Sequence, residues 1–98
     1  MTSEDFKFKA KEMIVDLLIT DGMISVDDIS IVYEVWYCKT LQNHKGLFGS
    51  HYSNDFYYEA TYNGDKNELY LDVYKIDRKL VLDVQNNKFK CARFVRTQ

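Results

Sequence analysis

Residues 56–76 read FYYEATYNGDKNELYLDVYKI. Two alternating apolar and polar runs flank Asn63-Gly64, the strongest short-range hairpin signal, because both residues tolerate positive φ. The pattern predicts antiparallel strand pairing here. Two registers satisfy it: a tight loop at Asn63-Gly64, or a four-residue loop over Asn63–Lys66. Either one puts Tyr58 and Ala60 on the same face as Leu69 and Leu71, since side chains alternate along a strand. The other face then carries Tyr57, Glu59, Tyr70, Asp72 and Tyr74. That face is amphipathic and acidic. It is either the solvated side of a sheet or a surface that binds a partner.

The remainder of the chain supplies what a hairpin needs to be covered. Residues 3–20 place Phe6, Ala10, Met13, Ile14, Leu17 and Leu18 at helical spacing, with most charges elsewhere. Thr2 or Ser3 can cap the start, Glu4 and Asp5 suit the positive end of the helix dipole, and Asp21-Gly22 suits the stop. Residues 25–30 are polar and read as a turn or as one short helical turn. Residues 29–38, ISIVYEVWYC, alternate, with Ile29, Ile31, Tyr33, Val35 and Tyr37 on one side and Ser30, Val32, Glu34, Trp36 and Cys38 on the other. Near the C-terminus, Leu80, Leu82 and Val84 alternate, Asn86-Asn87 can turn, and Phe89, Cys91 and Arg93 share a side. The expected fold is α+β: an N-terminal amphipathic helix packed on an antiparallel sheet of five or six strands, in one domain over residues 1–98.

Composition narrows the functions worth considering. The formal charge is −2 with a pI of about 5.6, so the basic excess usual in duplex-binding domains is absent and direct nucleic-acid binding is not expected. Only the tail, with Lys88, Lys90, Arg93 and Arg96, is basic. No apolar run approaches the roughly 20 residues needed to span a bilayer, and the start MTSEDFKFKA lacks the positive n-region and apolar h-region expected of a signal peptide. A cytoplasmic location is the default expectation, with both cysteines as thiols or metal ligands.

Those cysteines and both histidines raise the question of a metal. A four-residue loop from Gly46 to Gly49 would set His44 directly opposite His51, with Cβ atoms about 4.5–5.5 Å apart. Cys38, His44, His51 and Cys91 together form the inventory of a tetrahedral structural zinc site. Cys38 precedes His44 by six residues, about 20 Å in an unbroken strand, so it joins only where the chain bends; Cys91, Asp55 or water can serve in its place. The alternative is two half-exposed histidines and two cysteines acting as small hydrophobes. Catalysis is not expected. A Cys-His pair lacks a third orienting group, and no phosphate loop, H-E-x-x-H or G-x-S-x-G is present.

Three segments, FKFKAKEMIV, VWYCKTLQN and YYEATYNGDKNELYLDVYK, resemble a family of small, mostly uncharacterised proteins carried by phages and prophages of Gram-positive bacteria. The resemblance covers roughly residues 6–75. It weakens over 46–55, and the extension 78–98 with Cys91 departs from it. It implies a phage-encoded accessory protein acting in the host bacterial cytoplasm. Some streptococcal phage proteins of similar size are type II anti-CRISPRs, which inhibit Cas9, and this chain is similar in kind. The implied activity is non-catalytic binding of the host Cas9 effector complex, on its recognition lobe, that hinders target-DNA loading. The competing readings are an inhibitor of another host enzyme, or a replication or recombination accessory protein contacting single-stranded nucleic acid through sheet aromatics.

Overall fold

A computed structural model of the chain describes residues 1–83 and 88–96, with side chains described for 1–52 and 55–75. Helix α1 spans Ser3–Thr20 and begins with a capping box. The Thr2 hydroxyl accepts from the Asp5 amide at 3.0 Å, and the Asp5 carboxylate accepts from the Thr2 amide at 3.4 Å. Two of the amide groups that every helix leaves unsatisfied at its start are thereby paired. The helix stops where Gly22 enters the left-handed region at φ 73°, and the Met23 amide bonds back to the Leu18 carbonyl. Phe6, Ala10, Ile14, Val15 and Leu18 are buried. Met13 and Leu17, expected on the same stripe, lie at its half-buried margin.

After a short 3₁₀ turn at Ile29–Ile31, the strands β1 (Val32–Thr40), β2 (Asn43–Ser50), β3 (Ser53–Asn63), β4 (Glu68–Asp83) and β5 (Lys88–Arg96) follow as an antiparallel meander. The strands β1 to β4 form the sheet against which α1 packs. β4 is long and is used twice. Its residues Glu68 to Lys75 pair with β3, whereas Tyr74 to Asp83 pair with β5. The overlap is two residues, so the strand count reaches five in hydrogen-bonded order while the helix-backed sheet has four. The turn expected at Asn86-Asn87 lies outside the described residues.

Two strand expectations change in detail. The loop between β3 and β4 is Gly64–Asn67, with Asn63 opposite Glu68. Its left-handed residue is Asn67, at φ 53°. Neither expected register forms, but the observed one differs by an even step, which leaves every residue on its expected face. In β1 a bulge between Glu34 and Trp36 breaks the alternation. Val32 is buried, Glu34 reaches Lys7 of α1 at 2.9 Å, and Tyr37 packs on the core, so these three face the helix. Tyr33, Trp36 and Cys38 take the opposite face, and Val35 is the extra, exposed residue. A bulge adds one residue to one strand and reverses the parity beyond it.

Gly46 and Gly49 do not form a turn. Both lie inside β2, where Gly46 pairs with Tyr37 and Ala60, and Gly49 pairs with Tyr33. A Cβ on Gly46 would stand 3.0 Å from the Phe48 ring and 3.3 Å from Phe6, on the helix side. A Cβ on Gly49 would stand 2.4 Å from the Tyr33 ring, on the open side. These glycines make room for aromatic rings crossing the strand. The core thus formed comprises Phe6, Ile14, Val15 and Leu18 from the helix with Val32, Phe48, Tyr58, Ala60 and Tyr62 from the sheet. Each large apolar side chain buried in this way contributes about 1.5–3 kcal/mol.

Candidate interaction face

The face of the sheet turned away from α1 is where the expected partner-binding residues meet. Tyr57 pairs with Tyr74, Glu59 with Asp72, and Thr61 with Tyr70. Period-2 alternation sets all of them opposite the buried Tyr58, Ala60 and Tyr62. The rungs continue across the sheet. Leu47 stands beside Glu59 and Trp36 beside Leu47, while Lys45 stands beside Thr61 and Cys38 beside Lys45. Trp36 is 40% exposed and Tyr70 42%. An aromatic row therefore borders a pair of carboxylates directly opposite one another.

Like charges placed opposite on neighbouring strands repel, and the neighbours of Glu59 moderate this. Its carboxylate lies 3.7 Å from the Lys45 ammonium and accepts from the Tyr74 hydroxyl at 3.5 Å. The Tyr70 hydroxyl donates to Glu68 at 2.8 Å, and that bond raises the phenol's pKa above its ordinary value. The face is thus polar at its acidic centre and apolar toward Trp36 and Leu47. Leu47 joins it by plain alternation along β2, whereas Trp36 joins it only because of the bulge in β1, which no local pattern in ISIVYEVWYC announces.

The two loops at one end of the sheet are bonded to each other. The Gly64 amide donates to the Asn43 side-chain oxygen at 2.8 Å, Gln42 donates to Asp65, and the Asp65 amide donates to Asn63 at 3.0 Å. The segments CKTLQN and YNGDK, distant in sequence, are thereby hydrogen-bonded into one edge of the face. Leu41 tops the β1–β2 turn at φ 56° and is 80% exposed.

The expected histidine pair does not form. β2 runs unbroken from His44 to Ser50, so His44 and His51 stand at its opposite ends, about 23 Å apart at about 3.3 Å per residue. His51 is exposed in the β2–β3 turn, against the Tyr33 ring. His44 is 2% exposed on the helix side, stacked on Phe6 with ring centroids 5.3 Å apart. Its Nε2 lies 3.2 Å from the Met1 carbonyl and its Nδ1 lies 2.5 Å from the Tyr37 hydroxyl. A carbonyl only accepts, so Nε2 carries the proton and Nδ1 accepts from Tyr37. Burial holds the His44 pKa below its ordinary value, and only the bond to the Met1 carbonyl opposes this. This is a satisfied core histidine with both nitrogens engaged. Cys38 is exposed on the open face and pairs with Lys45, whereas His44 lies on the helix side. Cys91 pairs through its backbone with Leu80, and its side chain lies outside those described. Among the described residues no three His, Cys, Asp or Glu stand together as metal ligands.

These features define a small α+β domain whose sheet is covered by a helix on one side and open on the other. The chain belongs to DUF6275, a family of unknown function, which matches residues 7–84. The match takes in nearly all of α1, the sheet and the whole of β4, further than the resemblance in sequence suggested, and leaves β5 outside. No curated protein and no solved structure matches the chain significantly. Among the described residues no helix is long and apolar enough to cross a membrane.

Proposed function

We propose that this protein is a phage-encoded, non-catalytic inhibitor that docks its open sheet face on a basic surface of a host defence nuclease in the bacterial cytoplasm, most concretely Cas9. The observation that carries the reading is the convergence of Trp36, Tyr57, Tyr70 and Tyr74 around Glu59 and Asp72 on a face that no element of the described chain covers. Exposed aromatics supply anchor area at protein interfaces, and a ring of charge around them sets partner and on-rate. Cas9 holds its guide–target heteroduplex in a positively charged channel. An acidic, tyrosine-rich patch seated on that lining hinders loading of the target DNA. The resemblance to phage and prophage proteins supports the same direction, and the anti-CRISPR assignment rests on likeness of kind.

The test is capture of the Cas9–guide complex by this protein, with target cleavage titrated against it. The reading predicts co-purification and a cleavage rate that falls as the inhibitor approaches equimolar amounts. Absence of both at large molar excess removes Cas9 as the target. Retention of labelled single strands at low salt, with no effect on the nuclease, favours the nucleic-acid accessory role instead.

A further inference from the structure

The hydrogen bonds that join the β1–β2 turn to the β3–β4 loop surround one reactive dipeptide, Asn63-Gly64. An asparagine side chain is open to attack by the backbone nitrogen that follows it, and most so before glycine, which puts no side chain in the way. Asn63 is half-buried rather than sealed from water. Its Oδ1 accepts from the Asp65 amide at 3.0 Å and from the Lys66 amide at 3.3 Å. Two N–H groups on one carbonyl oxygen stabilise the negative charge that gathers there when a nucleophile adds to the carbon. The electrophile is thus activated where it stands.

The nucleophile, by contrast, is restrained. The Gly64 N–H donates to Asn43 Oδ1 at 2.8 Å, a length at which the bond is fully made. Asn43 is the first residue of β2 and belongs to the other loop. While the bond holds, the amide keeps its proton and points to Asn43. Gln42 tightens the closure. Its side chain donates to Asp65, and a Cβ on Gly64 would collide with the Gln42 carbonyl and side chain. The close fit of the two loops therefore requires the same glycine that makes Asn63 reactive.

We propose that Asn63 is a self-modification site, armed by the Asp65 and Lys66 amides and latched by Asn43. When the β1–β2 turn lifts away, the Gly64 nitrogen loses its proton to water and bonds to Asn63 Cγ. The Cγ–Nδ2 bond breaks, and Nδ2 takes up a proton and leaves as ammonia. The resulting succinimide adds one water. Addition at Cγ breaks the ring bond to nitrogen and leaves aspartate at position 63. Addition at the backbone carbonyl carbon breaks its bond to the Gly64 nitrogen instead, so the chain runs through Cγ as isoaspartate. In sum, water enters and ammonia leaves, with nothing oxidised or reduced. Either product sets a new carboxylate two residues from Asp65 and directly opposite Glu68, where like charges repel. The edge of the open face loosens as the site reacts.

Peptide mapping by mass spectrometry, on the full chain held at mildly alkaline pH, follows the reaction at Asn63 and separates aspartate from isoaspartate. The folded natural chain should react several-fold more slowly than the same chain in denaturant. Asn43→Ala, with helix content unchanged, should raise the folded rate by about five- to tenfold, the effect of one lost hydrogen bond on the population of the opened loop. Asn43→Asp, which keeps the acceptor oxygen, should stay near the natural rate. A folded natural chain that reacts as fast as the denatured one overturns the latch, and this comparison stands even where Asn43→Ala does not fold. Equal rates in the natural chain and a folded Asn43→Ala overturn it as well. A folded Asn43→Ala in which Asn63 stays intact overturns the site itself, because the two amides on Oδ1 would then restrain the side chain rather than activate it.

Discussion

The two faces of the four-stranded part of the sheet share a backbone and differ in what covers them. On the helix side, Phe48, Tyr58 and Ala60 are buried against Phe6, Ile14 and Leu18. On the open side, one residue away along the same strands, Leu47, Tyr57, Glu59 and Thr61 are only half-buried. Both faces are rich in aromatics, so composition does not distinguish them. The distinction is the helix. An aromatic closed under it is a stability element, and one left open is available to a partner.

Truncation on the two sides should therefore have opposite consequences. Phe48→Ala should lower unfolding free energy by about 3–5 kcal/mol, read from chemical denaturation, and in a domain of marginal stability this approaches global unfolding. Trp36→Ala, on the open face, should change stability by less than about 1 kcal/mol. Equal losses would mean that the open face is structural. Gly46→Ala sharpens the comparison from the backbone side. The new methyl meets Phe48 and Phe6 inside the core, where overpacking costs about 1–3 kcal/mol, whereas a glycine serving as a turn would show no core penalty.

His44 gives the closed side a pH dependence. Its folded pKa is lowered, so the unfolded chain binds a proton more readily. The stability it contributes is complete above the unfolded value of about 6.5 and declines as pH falls below it. Thermal melts between neutral and acidic pH should show the decline, and His44→Gln should reduce it. An unaltered pH profile would contradict the buried, neutral assignment. A smaller effect belongs to the tip of the open side. Leu41 adopts positive φ, which costs an L-residue about 1–2 kcal/mol. Leu41→Gly relieves it, and after the entropy lost to glycine a gain of roughly 0.5 kcal/mol in the same denaturation experiment is expected.

Much of the closed side was legible in sequence because its signals are local. The helical stripe from Phe6 to Leu18, the Thr2 cap and the Gly22 stop each depend on residues within a few positions. The hairpin around Asn63 was legible in kind, but its register was not. That register is set by Asn67 taking the left-handed position and by Asn43 bonding the Gly64 amide, a contact between loops 21 residues apart. Gly46 and Gly49 misled for a related reason. Glycine usually punctuates, but here it admits the ring of Phe48 from its own strand and the rings of Phe6 and Tyr33, which arrive from elsewhere in the fold. The same misreading created the apparent metal pair, because His44 and His51 come together only through a turn that the chain does not make. Of the candidate face, the five residues from Tyr57 to Tyr74 followed from alternation, Leu47 required β2 to run through Gly46 and Gly49 as a strand, and Trp36 required the bulge.

The central claim is that the open face is the docking face. The most direct measurement compares cleavage by guide-loaded Cas9 in the presence of the natural protein and of a Trp36→Ala, Asp72→Lys variant with the same melting temperature. The account predicts that the natural protein inhibits near equimolar amounts and that the variant requires at least about tenfold more. Equal inhibition by both would place the contact elsewhere on the molecule, and no inhibition by either would remove the nuclease as its target.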